Sequence, residues 1–104
     1  MQAVPSDTVY GIIMPDAEKI REVIQDIASR PSNVLFSEID WVFRQLVPYY
    51  PGRFSCRVAR HGTLFQLGGR RFMMSRHHPG TKQVKSYAVE DFLDAMSDLG
   101  WYEE

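Results

Sequence analysis

His61 stands between Arg60 and Gly62, in a stretch that reads as a turn. Guanidinium neighbours disfavour the imidazolium form, so such a histidine is neutral near neutral pH and can take the proton of a ribose 2′-hydroxyl. A solvated turn histidine with no chemical part is the plainer reading of the same residue. His77 and His78 are adjacent, with no third histidine or nearby acid, whereas a zinc centre needs three or four ligands. They either help Arg76 and Lys82 hold phosphates or play no part, and no metal or cofactor is expected. Cys56 is the sole cysteine, which excludes an internal disulfide and a cysteine-based zinc site. It falls among apolar residues of a strand and reads as a buried packing residue, since a nucleophile needs an exposed, electropositive site. The sequence offers no paired-carboxylate, Ser/His/Asp or phosphate-loop motif.

The cations around these residues are segregated. From Trp41 to Val89 there is no Asp or Glu, and that run carries a charge of +9. Residues 1–40 sum to −4 and residues 90–104 to −6, so the formal net charge of −1 hides a basic segment between two acidic ones. A basic sheet covered by acidic helices would give the same pattern with no partner at all. A surface for a polyanion is the sharper reading, and nucleic acid is the usual polyanion. The residues assigned to that surface are Arg57, Arg60, Arg70, Arg71, Arg76, His77, His78, Lys82 and Lys85.

A chain of 104 residues is expected to be a single domain, with 1–36 as an N-terminal extension and 37–104 as the core. It can bury one modest hydrophobic core. Its 44% apolar and 24% charged residues are those of an ordinary globular protein and not of a disordered one. One cysteine, no secretory leader and no apolar run of about 20 residues together give a cytoplasmic expectation with no membrane contact.

The elements that must position these side chains can be written down. Thr8–Met14 is β-branched and apolar, and reads as a strand or extended arm stopped by Pro15. A helix follows from Asp16 to Arg30, with Ile20, Val23, Ile24 and Ile27 on one face. A second starts near Ser37, where Ser37 and Asp40 have capping-box spacing, and it buries Ile39, Val42, Phe43 and Leu46. Gly68-Gly69 between apolar runs is a two-residue hairpin signal, pairing Phe65 with Phe72 and Gln66 with Arg71. His61-Gly62 is a second such turn, pairing Val58 with Phe65 and Arg57 with Gln66.

Period two then sorts the faces. Phe54, Cys56, Val58, Phe65, Leu67, Phe72 and Met74 form a core face. The opposite face holds the row Arg57, Gln66, Arg71 beside an apolar row of Ala59, Leu64 and Met73. That apolar row is either a dimer interface or the seat of the first helix. A last helix runs from Tyr87 to Leu99 with Ser86 as N-cap and Gly100 as C-cap, and Trp101 folds back onto the core. The expected fold is α+β: a three-stranded antiparallel sheet with helices on one face, plus an N-terminal strand and helix.

From Ser37 to Trp101 the pattern resembles the HicA family of toxin–antitoxin systems. The residues that carry the likeness are Gly62-Thr63, Gly69-Arg70-Arg71, the Arg76-His77-His78-Pro79-Gly80 loop, Lys82 to Lys85 and the closing Leu99-Gly100. The resemblance implies a core of helix, three strands and helix, like a double-stranded-RNA-binding domain. It also implies a metal-independent endoribonuclease that cleaves mRNA and is neutralised by a HicB antitoxin. The family's catalytic histidine follows a Gly-Ser or Gly-Gly pair, whereas here Leu64 follows Gly62-Thr63. His61, on the other side of the glycine, is the one histidine near that position.

Two function classes follow. One is an RNA-binding HicA-like toxin, active through His61 or degenerate and binding without cutting. The other is an interaction module or inhibitor whose basic sheet meets an acidic protein or a HicB-like antitoxin, and whose apolar row makes a homodimer or a complex.

Overall fold

The computed structural model describes residues 15–60, 62–75 and 83–103. Within them lie helices α1 (Ala17–Ala28), α2 (Phe36–Leu46) and α3 (Ser86–Asp98), and strands β1 (Phe54–Ala59), β2 (Gly62–Leu67) and β3 (Arg70–Ser75). A short 3-10 turn, Val47–Tyr49, follows α2. The strands form one antiparallel sheet in the order β1-β2-β3, so the expected α+β fold is present. The strand expected over Thr8–Met14 lies outside the described residues. No helix among the described residues is long and apolar enough to cross a membrane.

α1 forms because Ile20, Ile24 and Ile27 recur at helical spacing and all three are buried. Asp16 caps it, its side chain accepting the Glu18 N–H at 2.9 Å. It ends at Ala28, before the expected Arg30, because Pro31 disfavours helical backbone at the residue preceding it. Its neighbours are α2 and α3. It does not cover the outer sheet face, because its single apolar stripe is already taken up by the other helices.

α2 begins at Phe36, ahead of the expected Ser37. The start is set by Glu38, whose carboxylate accepts the Leu35 N–H at 2.9 Å, and not by Ser37 with Asp40. Arg30 binds both Glu38 and Asp26, joining the end of α1 to the start of α2. The Arg30 hydrogen bond holds the Glu38 carboxyl below the ordinary glutamate value. A depressed carboxyl stabilises the fold above its unfolded value and loses that effect as pH falls through the folded one. Glu38→Gln should therefore destabilise by about 1 kcal/mol at neutral pH, the upper end for an ion pair near the surface. Denaturant midpoints should converge with those of the unaltered protein as pH is lowered past the ordinary glutamate range.

α3 starts at Ser86, with Lys85 rather than Ser86 at the N-cap. Gly100 closes it at φ +85°, a conformation that side chains with a Cβ resist. The Gly100 N–H donates to the Ser97 carbonyl at 3.1 Å and the Trp101 N–H to the Met96 carbonyl at 2.8 Å, the paired bonds of a Schellman ending. Trp101 returns to the core as expected and is 8% exposed.

In the sheet, Gly68 at φ +58° turns β2 into β3. Leu67 faces Arg70, Gln66 faces Arg71 and Phe65 faces Phe72, the expected register. Phe65 is the hub of the core, with ring centroids 4.5 Å from Phe43, 5.3 Å from Phe72 and 6.1 Å from Phe36. Phe72 in turn meets Phe92 of α3 at 5.8 Å. α2 thus lies over β2 and α3 over β3. Ahead of α3, the Val84 N–H donates to the Val34 carbonyl at 2.9 Å and ties that segment to the start of α2.

β1 departs from expectation twice. Its register places Ala59 opposite Gly62, Arg57 opposite Leu64 and Cys56 opposite Phe65. The turn is therefore Arg60-His61, one position earlier than His61-Gly62. Such a shift keeps every side chain on its expected side but moves each row. The second departure is burial: Phe54 is 46% exposed, Val58 is 82% exposed, and Cys56 is exposed too. Alternation places all three on the core face. They do lie on that side of the sheet, but the helices cover two strands and β1 overhangs them.

Candidate nucleic-acid interface

The outer sheet face is built from two cross-strand rows, Ser55–Gln66–Arg71 and Arg57–Leu64–Met73. None of these six residues is buried, and Arg57 and Arg71 are both exposed. The expected row Arg57–Gln66–Arg71 is broken by the β1 register, as is the expected apolar row. Arg57, and not Ala59, stands beside Leu64 and Met73, and Ala59 faces Gly62. The two arginines come from opposite edge strands, so β2 separates them. Strand spacing puts their Cα atoms about 10–12 Å apart.

Neither Arg57 nor Arg71 makes an ion pair among the described residues, and neither does exposed Arg60 at the β1–β2 turn. The sheet itself has no carboxylate to pair with them. Like charges held apart on this face set up a positive potential that no carboxylate among the described residues cancels there. Arg53, exposed where the chain enters β1, adds to it. Sequence reasoning passed over Arg53, although it lies in the same acid-free run.

Arg70 is placed differently. It sits on the core side of β3, only 28% exposed, and reaches α3. Its Nη2 donates to Asp94 at 2.9 Å and lies 3.7 Å from Asp91, and its Nε lies 3.2 Å from Asp98. The Nε pairing with Asp98 is ionic, without hydrogen-bond alignment. Three carboxylates therefore engage a guanidinium that its sequence neighbours group with the outward cations. Lys85 is half-buried at the α3 N-cap, its Nζ 5.7 Å from the centre of the Tyr87 ring. His61, Arg76, His77, His78 and Lys82 lie outside the described residues.

Cys56 is exposed, not a buried packing residue, because it belongs to the β1 overhang. Partial desolvation raises its thiol pKa and the charge of Asp40 adds to that, against a smaller opposing effect of Arg44. The thiol therefore stays protonated and is a poor nucleophile. Among the described residues no three His, Cys, Asp or Glu side chains gather as metal ligands.

Among the described residues the geometry defines a class: an α+β domain with helices on one side of a small sheet and, on the other, a cationic face without carboxylates. No family model, curated protein or solved structure matches the chain.

Proposed function

We propose that this domain binds RNA through its outer sheet face, and that it is a HicA-like domain that holds RNA without cutting it. The observation that carries the reading is the outer face on which Arg57 and Arg71 stand exposed with, among the described residues, no carboxylate paired to them. Two such guanidinium groups contact phosphates without reading bases, so binding would be salt-sensitive and nearly independent of sequence. Leu64 supports the non-cutting form. It lies on this same face between Arg57 and Met73, at the position where the HicA resemblance calls for the catalytic histidine. A leucine side chain has no group that could take a proton from a 2′-hydroxyl.

RNA binding should be measured by fluorescence anisotropy across a salt series. Replacing Arg57 and Arg71 together with Ala should weaken binding and reduce the salt slope by about two, one unit for each phosphate that loses its arginine. Absence of binding by the unaltered protein at low salt overturns the reading. Incubation with unstructured RNA should leave it intact, both for the unaltered protein and for His61→Ala. Cleavage abolished by His61→Ala would instead make His61 the base and the domain an active, metal-independent ribonuclease.

A second reading has its own support in Arg70, a cation of this sheet that is engaged by the acidic stripe of α3. An acidic protein, a HicB-like antitoxin among the candidates, would meet Arg57 and Arg71 by the same chemistry. It would give a stoichiometric complex at moderate salt and no affinity for RNA.

A further inference from the structure

β1 pairs with β2 along one edge, and among the described residues nothing pairs with the other. Backbone geometry decides which residues supply that other edge. The Gly68 N–H donates to the Arg53 carbonyl at 2.7 Å, so residue 53 turns its backbone groups toward β2. Bonded and non-bonded pairs alternate along an antiparallel ladder, so Ser55, Arg57 and Ala59 do the same. Phe54, Cys56 and Val58 therefore direct their N–H and C=O groups away from β2. The same three residues present their side chains to solvent on the helix side of the sheet. One strand thus offers main-chain donors and acceptors together with an apolar row, the two requirements for strand addition.

We propose that β1 is a docking edge for an acidic segment of a partner protein. The segment adds as a fourth strand, its apolar residues alternating with Asp or Glu. The six residues of β1 span about 20 Å, so about five to seven residues of partner cover it.

Three observations select this occupant. The first is the apolar side. Between the β1 overhang and α2 runs a groove of about 260 Å³, lined by Phe43, Arg44, Val47, Phe54 and Cys56. Arg44 is already paired with Asp40 at 2.8 Å, which leaves Phe43, Val47 and Phe54 to receive apolar side chains. The second is charge on the outer side. Arg57 stands mid-strand and Arg60 follows at the end; both are exposed and neither is ion-paired among the described residues. A strand laid along this edge sets one outer residue opposite Arg57, where a carboxylate is favoured and a cation opposed. The third tells against a second copy. Its β1 carries Arg57 and no acid, so two copies joined about Cys56 or Arg57 set two guanidinium groups diagonal or opposite to each other. RNA on the outer face and a peptide on this edge are separate interactions, and either can exist without the other.

The probe is acetyl-Val-Glu-Val-Glu-Val-Glu-Val-amide, whose alternation reads the same in both directions. The control is the Val/Lys peptide of the same pattern. Each is titrated into the full chain and followed by amide NMR. The Val/Glu peptide should bind about tenfold tighter than the Val/Lys peptide, from one favourable and one unfavourable contact at Arg57. It should also slow exchange of the Phe54, Cys56 and Val58 amides, which exchange freely in the protein alone. Val58→Pro removes one outward donor without touching the β1–β2 ladder, and should weaken the Val/Glu peptide about fivefold. Arg57→Glu should reverse the preference between the peptides, a change that misfolding cannot produce. Equal affinity for both peptides, or no saturable binding below about 1 mM, overturns the proposal. So does binding that leaves the three edge amides unprotected. Edge amides already protected in the protein alone also overturn it, and a mass of two chains in that case assigns the edge to a second copy.

Discussion

Phe65→Ala lowers the stability of this domain by about 3–5 kcal/mol, the range for removing a buried phenyl group from a close-packed core. The upper part of that range applies because Phe65 is fully buried and touches three aromatic rings drawn from a helix and a neighbouring strand. Phe36 and Phe43 reach it from α2 and Phe72 from β3. A shortened side chain leaves a void bounded by a helix on one side and a hydrogen-bonded sheet on the other, and neither can collapse into it without breaking its own pairing. Urea unfolding followed by circular dichroism measures the loss, with a lower midpoint and an unchanged slope. A loss under about 1 kcal/mol would contradict the packing described.

Trp101→Ala is expected to cost about 3 kcal/mol, at the lower end for a buried aromatic because Trp101 lies at the margin of the core. Its ring meets Tyr49 edge-on at 5.0 Å, the Arg21 guanidinium lies 4.8 Å from its centre, and its Nε1 donates to the Tyr50 hydroxyl at 2.9 Å. Trp101→Phe keeps an apolar ring and removes the donor. It should therefore cost only about 1 kcal/mol beyond the change in ring size, the scale of one hydrogen bond. Comparing the two variants by thermal unfolding separates packing from hydrogen bonding. Tyr49 and Tyr50 both belong to the segment that leads into β1, so the same variants should also loosen that strand.

What could be read from the sequence was local. Gly68-Gly69 set the register of β2 and β3, because a two-residue turn leaves one pairing for the residues beside it. Ile20, Ile24 and Ile27, or Ile39, Val42 and Phe43, marked buried helix faces, because apolar residues three and four apart line up only on a helix. The turn before β2 was harder. Arg60-His61 and His61-Gly62 both leave two residues between strands, and both send the same side chains inward. Alternation also says which way Phe54 and Val58 point, but not whether any helix extends far enough to cover them. Arg70 shows the same limit in the candidate site. Its type and neighbours group it with Arg71, and only the course of α3, about twenty residues later, turns it to another use.

That use has a consequence for how the molecule assembles. Asp91, Asp94 and Asp98 recur every three or four residues along α3, so they form one stripe of like charge on the helix. The last turn of α3 contains no base, although that end of a helix favours a cation. Arg70 supplies from the hairpin the positive charge that the helix lacks. An isolated segment spanning α3 would carry mutually repelling carboxylates and an uncompensated terminus. The hairpin, by contrast, takes its register from its own glycines. The consequence for assembly is that α3 gains its compensating cation only where it packs against the hairpin that carries Arg70, and not as an isolated helix.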